Sequence, residues 1–133
     1  MISTIHYFSN AAAVISYAPA GYVRLEWQPV PATAAELRSI YEHVLRAMQH
    51  HRASRLMSVH NQRPPMPPEI QTWLTQEWLP RAVSEVGYGY CAIVEATAPL
   101  SRLAARAVGI GMKGQLSYEF FENDALADAW LRQ

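Results

Sequence analysis

The chain has 133 residues, the size of one domain, with no length left for a second. Its eleven basic and eleven acidic side chains cancel, so no overall field draws it to a phosphate backbone, and nucleic acid is excluded from the expected partners. Half of the residues are apolar, yet the uncharged stretch 8–22 is broken by Ser9, Asn10, Ser16, Pro19 and Gly21, so no run reaches the roughly 20 apolar residues of a membrane span.

The opening Met1-Ile2-Ser3-Thr4-Ile5-His6 has neither the basic start nor the apolar run of a secretory signal, and a cytoplasmic location is expected. Residues 14–17 and 22–27 are β-prone runs joined by Ala18-Pro19-Ala20-Gly21, a hairpin connection. In the second run Tyr22, Arg24 and Glu26 alternate with Val23, Leu25 and Trp27, the period of a strand with one polar face. After the break at Pro29-Val30-Pro31, Thr33 and Glu36 form a capping box. Leu37, Ile40, Tyr41, Val44, Leu45 and Met48 then mark the buried stripe of a helix whose outer face carries Arg38, Glu42, His43, Arg46 and Gln49.

Residues 56–59 predict a strand that releases into His60-Asn61-Gln62-Arg63 and the proline run 64–68. A second helix starts at Pro68-Glu69, turns Ile70, Trp73, Leu74 and Trp78 inward, and is expected to end or kink at Pro80. Residues 90–94 predict a strand covered on both faces. The single Cys91 within it excludes an internal disulfide and reads as a small buried hydrophobe. Leu100, Leu103, Ala104, Ala107 and Val108 mark a third helix expected to stop before Gly109 and Gly111. Residues 116–121 form the last strand, and Asn123 caps a closing helix with Leu126, Ala129, Trp130 and Leu131. The order β-β-α-β-α-β-α-β-α predicts a single α/β domain over 1–133, a mixed sheet of four to five strands with helices packed on it.

Three features occur together: the opening hairpin; Glu69, Trp73 and then Trp78-Leu79-Pro80-Arg81-Ala82; and Phe121-Glu122-Asn123-Asp124-Ala125-Leu126 leading to Trp130-Leu131. They resemble the STAS domain family of anti-sigma-factor-antagonist-like proteins, and within it the small stand-alone bacterial members. The resemblance implies a STAS-like fold and a non-enzymatic regulatory module that binds a protein partner. It also implies a phosphorylated serine after the third strand, for which Ser58 is the nearest hydroxyl. The family's Asp-Ser pair is absent, since the segment reads Met57-Ser58-Val59-His60-Asn61. The fold's overlap with CRAL-TRIO-type lipid binders implies a small apolar ligand as the alternative.

His60, Asn61 and Arg63 fall where the third predicted strand ends, the position at which open α/β sheets bind ligands. Imidazole, amide and guanidinium together suit a carboxylate or phosphate, with Arg63 as a bidentate fork; a loop polar for solvation alone is the competing account. Trp73 and Trp78 are five apart, on different faces of an ideal helix, so an exposed Trp beside Met66 suits a partner surface, against core packing of both. His43, His50 and His51 lack metal-ligand spacing, and neither Gly87-Tyr88-Gly89 nor Gly109-Ile110-Gly111 continues into a phosphate loop. No metal or cofactor is expected, and no Gly-x-Ser-x-Gly elbow is present. The expected function is protein-partner binding or self-association as a homodimer through the hairpin's edge. The alternative is binding of an amphipathic carboxylate or lipid-like molecule whose polar end meets His60 and Arg63. An enzyme using His60 as a base is the third reading.

Overall fold

The computed structural model describes residues 2–133. Six strands lie side by side in sequence order: β1 (Ile5–Ser9), β2 (Ala13–Ala18), β3 (Tyr22–Trp27), β4 (Arg55–Val59), β5 (Tyr90–Val94) and β6 (Ser117–Phe121). The first three pair antiparallel, and β3 to β6 pair parallel. The sheet is therefore mixed, with six strands where the sequence predicted four to five.

The additional strand is β1. It is short, largely exposed and bulged between His6 and Phe8, so it lacks a clear apolar alternation. Asn10 turns it into β2, its side-chain oxygen accepting from the Ala12 amide at 2.8 Å. The hairpin of β2 and β3 follows, with Gly21 at φ +119°, a region its missing Cβ leaves open. Because β1 pairs with β2, the hairpin is not a sheet edge; the free edges belong to β1 and β6.

Helix α1 (Ala34–His51) begins at the predicted capping box, with both reciprocal bonds between Thr33 and Glu36 formed. Its inner face buries Leu37, Ile40, Tyr41, Val44, Leu45 and Met48 against the sheet. At the far end His51 stacks on Tyr17, and His43 stacks on Phe8 of the added strand.

Helices α2 (Pro68–Trp73) and α3 (Leu79–Val86) are joined without a break by a π-turn over Leu74–Trp78. The helix thus passes Pro80 instead of ending there. Pro80 has no N–H to give, and the widened turn just before it, in which the Leu79 amide bonds to the Leu74 carbonyl, accommodates the ring. The same turn corrects the phase of the two tryptophans: residues five apart come into line across a π-turn, and both rings face Tyr41, with centroids 6.2 Å and 5.1 Å away.

Helix α4 (Pro99–Met112) also runs past its predicted stop. Gly109 and Gly111 lie inside it, where a methyl on Gly111 would overlap the Thr75 side chain and one on Gly109 would press on Tyr118. These glycines let α4 approach the π-turn and β6. Helix α5 (Asp124–Leu131), capped by Asn123, packs alone on the opposite face against Met57, Val59, Ala92 and Val94. The described residues thus form four helical rods. Residues alternate faithfully along β5: Cys91 and Ile93 face α1 to α4, while Ala92 and Val94 face α5. No helix among the described residues is long and apolar enough to cross a membrane.

Candidate functional site

The alternation in β4 aims two polar side chains at the wrong solvent. Met57 and Val59 face α5, so Leu56, Ser58 and the following His60 face the helical layer. There, between β3–β5, α1, the π-turn and α4, lies a cavity of about 60 Å³. Leu56, Trp78, Tyr88, Ile93, Val108 and Met112 supply apolar wall, while Ser58, His60, Tyr41 and Arg63 bring polar atoms to it. Among the described residues no aspartate or glutamate lines it.

Arg63 is held by a tight local structure. The His60 amide bonds to the Val94 carbonyl at 2.9 Å, fixing the exit of β4 to its neighbour. The chain then reverses through Asn61 in the left-handed region, the Arg63 amide bonding to the His60 carbonyl at 3.0 Å. Pro64 and Pro65 stiffen the departure, and Ser101 of α4 donates its hydroxyl to the Arg63 carbonyl at 2.6 Å.

The guanidinium so placed is only 6% exposed and lies over the Trp27 ring, 3.7 Å from its centroid. Among the described residues no carboxylate lies within 4.0 Å of it. Burial pulls its pKa down, and the facing Tyr41 hydroxyl offsets part of that effect. An arginine stays charged under such a shift. The cavity therefore holds a buried positive charge whose partners are an indole face and a phenol.

His60 adds a buried ring nitrogen without a partner among the described residues. The Trp27 indole N–H donates to the Ser58 hydroxyl at 3.2 Å, and that oxygen lies 3.1 Å from His60 Nε2. The Ser58 hydroxyl can give its proton to Nε2, the tautomer in which Nδ1 carries the ring proton, or accept from Nε2, the tautomer in which Nδ1 is an acceptor. Nδ1 is buried and has no partner. A buried polar nitrogen without a partner costs about 1–3 kcal/mol.

Burial, and secondarily the charge of Arg63, hold the His60 pKa well below the ordinary histidine value of 6.5. The unfolded chain takes up this proton below about pH 6.5 while the folded chain does not, so His60 makes stability fall with falling pH, by up to about 1.4 kcal/mol per unit, until the folded value is reached. Urea unfolding at pH 7.5, 6.5 and 5.5 is expected to show a shallower acid loss in His60→Gln than in the native chain. Equal slopes would mean that His60 is not held neutral.

Of the residues singled out from sequence, His60, Arg63, Met66 and Trp78 line this one cavity, and Ser58 lines it with them. Trp78 is a core residue, 2% exposed, its indole donating to the Tyr41 carbonyl at 2.8 Å. Trp73 is half-buried outside the cavity, and Asn61 is exposed, donating to Glu26 at 3.3 Å. The Ser58 hydroxyl points inward, so a phosphate there would place its charge beside Arg63 within the cavity and not at the surface. Cys91 is buried with a thiol pKa pushed up to about 11 by burial, the state of an unreactive core thiol. Sequence reasoning missed Tyr41, Tyr88 and the inner face of α4; Tyr41 was legible only as one more apolar-stripe residue of α1.

The Ser58 and His60 pair resembles two thirds of a catalytic triad, but Nδ1 faces no carboxylate, and the hydroxyl is engaged by Trp27. The arrangement places a buried guanidinium, partnered by a phenol and an indole face, and an imidazole at the edge of an apolar chamber. Compared with protein-family models, curated proteins and solved structures, the chain matches none.

Proposed function

We propose that this domain is a non-enzymatic binding module for a small amphipathic monocarboxylate. The observation that carries the reading is the buried guanidinium of Arg63, without a carboxylate partner among the described residues, at an apolar cavity that His60 also lines. A carboxylate answers the fork of Arg63, with the imidazole of His60 in the same wall. A phosphate dianion fits less well, because one cation and a neutral imidazole leave a charge unmatched.

The volume sets the apolar part. On the scale on which a cavity of about 150 Å³ takes benzene, about 60 Å³ holds an ethyl or propyl group. Butyrate at one hundred times its Kd is therefore expected to raise the unfolding free energy by about 2.7 kcal/mol, while butyramide, equal in shape and uncharged, gives no comparable shift. Thermal unfolding at fixed ionic strength checks this. Equal responses to acid and amide, or none to either, would remove the reading.

A regulatory role of the STAS type is the second reading, and one observation favours it. Helix α4 roofs the cavity with Ser101, Val108 and Met112, yet turns Leu100, Leu103 and Ile110 to solvent at 69%, 66% and 74% exposure. An apolar outer stripe on the roof of a ligand cavity suits a module whose protein partner, or second copy, senses occupancy.

A further inference from the structure

A second apolar recess lies on the other side of Arg63. It is a groove of about 210 Å³ between the loop after β3 and the proline-rich loop after β4, lined in part by Trp27, Val30, Pro31, Ala32 and Pro67. Arg63, Pro64 and Met66 belong to the walls of both spaces. The guanidinium is stacked by one face on Trp27, which fixes its plane and leaves its N–H edge for an acceptor. An anion paired with it has apolar room on two sides, small within and larger without.

A straight-chain acid with a terminal carboxylate fills only one of those sides. We propose that the Arg63 site takes a branched monocarboxylate, R–CH(COO⁻)–R′, whose small branch enters the inner chamber and whose larger branch lies in the proline-lined groove. The inner volume limits R to about the size of ethyl. The outer groove, more than three times larger, takes a ring. Its walls come from two loops stiffened by Pro31, Pro64 and Pro67, whose rings supply apolar surface without N–H groups that would need satisfying. Little ordering of the loops is then needed on binding, and preorganisation of this kind favours affinity.

The inference rests on the carboxylate reading, and one titration series separates the two. Calorimetry on the full chain compares butyrate, phenylacetate and 2-phenylbutyrate, the last joining both branches at one carboxylate. The expected result is that 2-phenylbutyrate binds at least about tenfold tighter than either parent. Ala32→Phe, or Val30→Trp at the exposed rim should the first variant fold poorly, is expected to bring it down to the butyrate level. If butyrate binds and 2-phenylbutyrate binds no tighter, or its advantage survives both variants, the outer groove is not part of the site and the inference fails while the carboxylate reading stands. If none of the three acids binds, both fail together.

Discussion

Arg63→Met is expected to stabilise the unliganded protein by about 1–3 kcal/mol while weakening carboxylate binding by about a hundredfold or more. The two effects have one origin. A guanidinium 6% exposed without a counter-charge has lost its hydration, a penalty of several kcal/mol, and its stack on Trp27 returns about 2 kcal/mol. Methionine fills similar volume without that deficit. In the complex the balance reverses, because the charge-assisted fork is gone and the carboxylate has only His60; losing one member of a buried charged pair costs about 2–5 kcal/mol, and a hundredfold is about 2.7. Urea midpoints and calorimetry on the same variant read both quantities. A structural arginine behaves oppositely, so loss of stability in Arg63→Met would identify it as a scaffold residue and dissolve the site. Arg63→Lys is expected to bind at an intermediate level, keeping the charge and losing both fork and stack.

The residues of this site were readable individually and its shape was not. Ser58 near the end of β4 and His60 just past it sit at alternate positions around the apolar Leu56, Met57 and Val59; period two carried one residue beyond the strand puts both polar groups on one face. Arg63 followed as the cation nearest a strand end. Nothing in that pattern says that the face is covered, since the cover comes from α1, the π-turn and α4, elements distant in sequence. The departures from the helix bounds expected at the glycines, and the distortion in place of an end at Pro80, share a cause as well. Pro80 and the pair Gly109 and Gly111 are local breakers, read by what they do to an isolated helix. In the folded chain a widened turn absorbs the proline, and close approach to Thr75 and Tyr118 uses the absence of a side chain at the glycines. β1 escaped notice because an edge strand needs only one partner, and its exposed pattern carries no core periodicity.

The π-turn has a consequence of comparable size to that of Arg63. By bringing Trp78 into line with Trp73, it places one indole against Tyr41 and Tyr88 in the cavity wall and leaves the other half-buried outside the cavity. Trp78→Ala is expected to cost about 3–5 kcal/mol, from lost burial, the void it leaves and the lost bond to the Tyr41 carbonyl, whereas Trp73→Ala costs clearly less because its ring is only half-buried. The void opens onto the chamber, so the variant has room for a longer apolar chain. Its ligand preference is expected to move from butyrate towards hexanoate by about tenfold, and hexanoate to restore part of the stability by mass action. Chemical unfolding of both variants, with and without each acid, measures all of this. Should Trp73→Ala prove the more damaging, the phase assigned to the π-turn is wrong; should the preference stay with butyrate, Trp78 is core but not wall, because a group that bounds a ligand chamber must set the length of what the chamber holds.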